Sequence, residues 1–196
     1  MMTKMKIRES GMPEDHLWEK FFDIKLIFKK LEINNKIESL VDFGFGYGTF
    51  SVPAAEIISG KVIALDLENE MINYLREKID KRNVKNIDII KRDFIDQGSD
   101  LPNNSIDYVM LFNILHHDQP KVLLKEAYKI LKLQGKLGII HWNYDPTTPR
   151  GPPLAIRPKP ENLISLATQI GFVNPILFDL KPFHYGILMK KEKLNR

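Results

Sequence analysis

The 196-residue chain contains no cysteine. Disulfides and thiolate metal sites are thereby excluded, which suits a reducing cytoplasm. It also lacks any uninterrupted apolar run near the roughly 20 residues that a bilayer-crossing helix needs. Lys4, Lys6 and Arg8 stand at the amino terminus, but Met12 to Leu17 is no apolar signal core, so a soluble cytoplasmic protein is expected. Ser- or Gly-rich linkers, repeats and low-complexity tracts are missing too, so the length fits one domain with decoration. Neither sign of charge dominates: 29 Lys and Arg face 25 Asp and Glu, for a net charge of +4. The lysines are scattered along the chain rather than gathered in one stripe, which makes a solvated surface the better reading than a nucleic-acid face.

What the chain does have is glycine at a particular spacing. Val41-Asp42-Phe43-Gly44-Phe45-Gly46-Tyr47-Gly48 is an apolar run ending in an acid, followed by glycine at every second position. Glycine there permits positive φ and lets a ligand approach bare backbone. A helix-length interval later, Val62-Ile63-Ala64-Leu65 ends in Asp66, where a carboxylate can accept hydrogen bonds from the two hydroxyls of a ribose. The pair reads as a nucleoside cofactor site. A dinucleotide fingerprint fits poorly, because Thr49 or Ser51 stands where the third small residue belongs.

Periodicity places strands near 39 to 42, 61 to 66, 87 to 91, 106 to 113 and 136 to 142. A helix from Thr49 to Gly60 tolerates Pro53 in its first turn, and the next aligns Met71, Ile72, Leu75 and Ile79. Another aligns Val122, Leu123, Ala127, Ile130 and Leu131 and is expected to stop at Gly135. A helix opened by Pro160 and closed by Gly171 turns Leu163, Ile164, Ala167 and Ile170 inward. Pro175 to Leu180 and Tyr185 to Lys190 read as an antiparallel hairpin. The expectation is an α/β, Rossmann-like, doubly wound sheet, with its ligand at the carboxyl ends of the strands.

The acid-x-Gly-x-Gly-x-Gly run resembles the first motif of the class I methyltransferases that use S-adenosyl-L-methionine. Arg92-Asp93-Phe94 is similar to their adenine motif, Leu101 to Val109 to the turn entering their fourth strand, and Leu124 to Leu137 to their helix, turn and fifth strand. Leu133 and Gln134 stand where Pro-Gly is more usual. The resemblance spans about residues 37 to 142, and the histidine pair discussed below brings it nearest the small-molecule, type 11-like group. It implies a seven-stranded, mostly parallel sheet with an antiparallel edge, in a single domain over 1–196. A leader (1–36) would cover the cofactor, a core (37–142) would hold it, and a Pro-rich loop, helix and hairpin (143–196) would complete the fold. It further implies that Asp42 orders the loop and reaches the donor's amino group, and that Gly44, Gly46 and Gly48 pass close to the methionine moiety. Asp66 would hold the ribose, Leu67 would pack on adenine, Asp93 and the Phe94 amide would read its edge, and Asn113 or Ile114 would contact the methionine amino group.

Two segments are candidates for choosing the methyl acceptor. In the leader, Pro13 can start a helix carrying Trp18, Phe21 and Phe22, which either roof the site or complete the core. Arg8, Glu9 and Ser10 precede it. The second segment, His141 to Pro153 continuing through Ile156-Arg157-Pro158, is stiffened by proline, and long irregular connections of this kind carry function. Trp142 and Tyr144 would wall a pocket, while Arg150 and Arg157 either fork onto an acceptor carboxylate or phosphate or bond carbonyls and pin the loop. His116 and His117 follow the fourth strand, where the family places residues flanking the donor methyl, and are the candidates for a general base. No metal site is expected from them. Asn113-Ile114-Leu115-His116 lacks the Pro-Pro-Tyr of amino-group methylases on adenine or glutamine. The expected activity is methyl transfer to a small, possibly anionic, molecule. RNA or protein methylation, a nicotinamide-dependent oxidoreductase and a noncatalytic nucleoside-binding module are the alternatives, and oligomeric state is left open.

Overall fold

The computed structural model describes residues 14–193. Arg8, Glu9, Ser10 and Pro13 lie outside them. Strands β1 (Ser39–Phe43), β2 (Lys61–Asp66), β3 (Ile87–Lys91), β4 (Ile106–Phe112), β5 (Leu131–Trp142), β6 (Phe172–Leu180) and β7 (His184–Lys191) form one seven-stranded sheet in the order β3-β2-β1-β4-β5-β7-β6. The first five run parallel, and β7 inserts antiparallel between β5 and β6. Val41 of β1 pairs with Ile63 on one side and Val109 on the other, so strand order reverses between β1 and β4 and opens a crevice at their carboxyl ends.

Alternation along the strands builds two cores. Leu40, Val62, Ala64, Tyr108 and Met110 face one layer, with α2 (Ile24–Lys30), α3 (Ser51–Ile57) and α4 (Asn69–Arg82). Val41, Phe43, Leu65, Val109 and Leu111 face the other, with α5 (Pro120–Ile130) and α6 (Pro160–Ile170). Helices on both faces leave the central strands no wet side, hence their near-continuous apolar sequence. Proline opens α5 and α6, where its missing N–H costs nothing. Left-handed Asn83 closes α4 and Gly171 closes α6.

Four elements depart from expectation. The helix expected over Thr49 to Gly60 covers only Ser51–Ile57, with Ile58 already extended. The helix expected to run to Gly135 stops at Ile130, and Leu131 pairs with Ile106 before a register shift brings Lys136 opposite Tyr108. Leu131 is fully buried in either reading, so hydrophobic spacing alone cannot separate the last helical residue from the first strand residue. β6 starts at Phe172 rather than Pro175, because the proline is absorbed in an irregularity between the Val173–Lys190 and Ile176–Leu188 pairs. The leader is no continuous helix: α1 (Asp15–Trp18) passes into a 3-10 turn at Glu19–Phe21, Phe22 is extended, and Asp23 caps α2 by accepting from the Leu26 amide at 3.0 Å. Among the described residues no helix is long and apolar enough to cross a membrane.

Candidate cofactor-binding site

The crevice beyond β1, β2 and β4 is a cleft of about 710 Å³, solvent at its mouth included. Its polar poles come from strand ends. Asp66 closes β2, and its two carboxylate oxygens accept from the Gly46 amide at 3.1 Å and the Glu68 amide at 3.0 Å. Burial pushes its pKa up in spite of those bonds. Asp42, next to last in β1, is 3% exposed and accepts from the Ser51 hydroxyl at 2.5 Å. Burial, opposed by that bond and reinforced by the charge of Asp66, raises its pKa to about 7.

Between the two acids runs the glycine loop, with φ of 71°, 54° and 70° at Gly44, Gly46 and Gly48. These values strain any residue bearing a Cβ. A Cβ on Gly44 would also lie 2.5 Å from Ile114 Cδ1. The loop therefore presents naked peptide to the cleft.

At the other pole stands Asn113, left-handed at φ 54°, its amide donating to the Ile140 carbonyl at 2.8 Å. Both polar atoms of its side chain are buried without a partner, and so is the Thr49 hydroxyl. Both residues line the cleft. Buried donors and acceptors are rarely left unpaired, and here they are of the kind a polar, amino-acid-like group would satisfy. Trp18, Phe45, Phe50, Met71 and Phe112 supply the apolar walls.

Of the residues expected at the site, Trp18, Asp42, Gly44, Gly46, Asp66, Asn113 and Ile114 meet in this cleft. Gly48 instead packs against Leu75, and Leu67 is 41% exposed just beyond Asp66. Asp93 accepts from the Asp96 amide at 3.1 Å, while Phe94 is buried edge-on against Phe43. Phe45, Thr49, Phe50, Glu68, Met71 and Phe112 line the cleft without having been singled out. Thr49 and Glu68 carried a positional signal, one following the glycine loop and the other two residues past the ribose acid. Met71 carried none, since its helical stripe reads as core.

The acceptor-side candidates are arranged differently. Trp142 is buried, with its ring 6.1 Å from Trp18 and 5.4 Å from Phe21. Tyr144 is exposed beneath the Lys159 ammonium, and Arg150 is exposed. Arg157 donates to the carbonyls of Pro152, Asn143, Asp145 and Arg150 and to the Thr148 hydroxyl, which pins the Pro-rich loop. His116 is buried with its Nδ1 3.3 Å from His141 Nε2, and burial, then the neighbouring His117, lowers its pKa to about 4. His117 Nδ1 lies between the Gln119 amide and the Asp118 carboxylate in the turn before α5.

The sequence profile of the methyltransferase domain matches residues 40–135, from β1 through the turn before the main run of β5. Residues 40–135 thus carry a methyltransferase domain. The chain is 30% identical over 114 residues to the demethylmenaquinone methyltransferase of Listeria welshimeri, across 57% of its own length and 48% of the relative's. To the enzyme of the same name from Lactobacillus johnsonii it is 31% identical over 133 residues, across 64% of its own length and 51% of the relative's. It thus spans about half the length of these curated relatives. Its fold superimposes on the crystal structure of a SAM-dependent methyltransferase from Aquifex aeolicus with a TM-score of 0.80 at 22% identity, covering 96% of this chain and 98% of that one.

Proposed function

We propose that this methyltransferase binds S-adenosyl-L-methionine across the cleft and transfers its methyl group to a small acceptor, releasing S-adenosyl-L-homocysteine. The observation that carries the reading is the pairing of opposite needs in one crevice. Asp66 is a carboxylate with lone pairs to spare at the end of β2, and elsewhere in the cleft the Asn113 side-chain amide and the Thr49 hydroxyl are buried and unpaired. A ribose suits the first, and the charged tail of an amino acid suits the second. Gly44 and Gly46 leave room between, Asp42 stands ready to balance an ammonium, and Leu67 offers an apolar surface to a base.

When bound, the sulfonium supplies an already activated methyl group. What remains for the protein is to hold the acceptor in line, exclude water and receive a proton where the attacking atom carries one. Trp18, Phe45, Phe50 and Phe112 give the cleft apolar walls that exclude water around a bound donor in this reading. His116 and His117 are the side chains assigned to receive that proton in this reading. Burial keeps the His116 imidazole uncharged at neutral pH but, with a pKa of about 4, makes it a weak base, so only an acceptor that is itself readily deprotonated would rely on it. Trp142, Tyr144 and the Pro-rich loop border the acceptor. An anionic group there would meet Arg150, since Arg157 is engaged with loop carbonyls. The chain works as one domain, with the leader as roof and the core as cradle.

Calorimetry with S-adenosyl-L-homocysteine tests the reading. The wild-type chain binds it, and Asp66→Ala weakens binding by about 1–3 kcal/mol, the scale of charge-assisted hydrogen bonds. Equal affinity in the two proteins, or thermal stabilisation by NADH instead, sinks it.

A further inference from the structure

Lys78 lies far from the glycine loop in sequence, yet its ammonium ties α4 to two other parts of the fold, the leader and the glycine loop. It donates to Asp15 Oδ2 at 3.1 Å, to Glu19 Oε1 at 2.8 Å and to the Tyr47 carbonyl of the glycine loop at 3.2 Å. Tyr74, one turn earlier on α4, donates its hydroxyl to the same Asp15 oxygen at 2.6 Å and stacks edge-on against Tyr47 at 5.1 Å. The Lys78 and Asp15 side chains are only 12% and 15% exposed, so their contact is shielded and geometrically fixed, unlike an ordinary surface pair. Asp15 and Glu19 bracket Trp18, the leader residue that lines the cleft, and Met71 on α4 lines it too. Roof, glycine loop and α4 are thus tied at one ammonium.

We propose that Lys78 is a positioning residue that clasps Trp18 over the cleft and so sets how fast cofactor and product exchange. The inference rests on the reading that this cleft binds the S-adenosyl group. A ligand enclosed by Trp18, Asn113 and the glycine loop leaves when the leader lifts, and lifting the leader separates the Lys78 ammonium from Asp15 and Glu19. Nothing in the clasp touches reacting atoms. Its effect falls on exchange rates and not on the methyl-transfer step.

The experiment is stopped-flow displacement of S-adenosyl-L-homocysteine from the full chain, beside thermal melting of the free protein. Lys78→Met is expected to speed dissociation by about tenfold or more, the scale set by losing hydrogen bonds between charged groups. Lys78→Arg, which keeps the charge and the reach, restores slow release. Acrylamide quenching of tryptophan emission rises in Lys78→Met, because Trp142 is 1% exposed and Trp18 is the ring the clasp covers. A folded Lys78→Met protein with wild-type dissociation, or one that only melts earlier, overturns the proposal. Should Lys78→Met fail to fold, Glu19→Gln carries the test, since that partner is 45% exposed; faster release supports the clasp and an unchanged rate overturns it. A wild-type chain that binds no S-adenosyl-L-homocysteine fails the functional reading and the clasp together, whereas tight binding with unaltered variant rates fails the clasp alone.

Discussion

Ser51 donates its hydroxyl hydrogen to Asp42 at 2.5 Å, inside a wall of the cleft where burial holds the carboxyl neutral up to about pH 7. In the unfolded chain this group ionises near 3.8. Between those values the unfolded state releases the proton first, so the stability contributed by Asp42 is lost as pH rises through that window. His116, His141 and His184 act in the opposite sense. Burial lowers their pKa values, so their contribution is present above the ordinary value of 6.5 and lost on acidification. The Asp42 effect is therefore read as a difference. Asp42→Asn keeps the shape and removes the titration, and its melting temperature should gain on the wild type between about pH 4 and about pH 7 and hold a steady lead above that. A constant offset between the two curves would show that Asp42 titrates normally.

Binding should report the same carboxyl. An ammonium brought beside Asp42 favours its charged form, so S-adenosyl-L-homocysteine is expected to release a proton near neutral pH. Calorimetry in buffers of different ionisation enthalpy measures that proton directly. The released fraction should vanish in Asp42→Asn.

The Arg157 guanidinium gathers five acceptors from the segment between Asn143 and Pro152, and it lies 5.8 Å from the Trp142 ring. Lysine reaches with one ammonium and cannot reproduce a planar fork. Arg157→Lys should cost about 1–3 kcal/mol of stability, a net sum of partly exposed hydrogen bonds. Limited proteolysis of the loop should speed up in the variant. Equal cleavage rates would mean that proline, and not arginine, holds the loop.

Much of this was legible in the residues, and what was not shares one cause. Asp66 announced itself because an apolar run ending in an acid is a local pattern, and the glycine loop because positive φ has a compositional signature. Which face of the sheet Leu40 and Val41, or Val109 and Met110, would take was not legible, because all four are apolar and both faces are buried. Arg157 was ambiguous between ligand and loop because both uses need the same guanidinium, and only the placement of four carbonyls decides. The Lys78 clasp was invisible: Asp15, Tyr47 and Lys78 share no local pattern, and their meeting depends on how the leader crosses α4. The boundary at Leu131 failed for a similar reason, since burial looks the same in helix and strand.

Thr49 supplies the sharpest trade between folding and binding. Its hydroxyl is buried without a partner beside the glycine loop, so the ligand-free protein bears the desolvation of that group with nothing in return. Thr49→Val preserves the shape and deletes the orphan. The ligand-free variant should be more stable by about 1 kcal/mol, because removing an unsatisfied buried polar atom relieves its penalty. Affinity for S-adenosyl-L-homocysteine should fall by about 0.5–1.5 kcal/mol, the net worth of one neutral hydrogen bond. Both signs are needed: melting alone would move if Thr49 were a packing residue of any kind, whereas a gain in stability joined to a loss in affinity requires that the hydroxyl wait for a ligand.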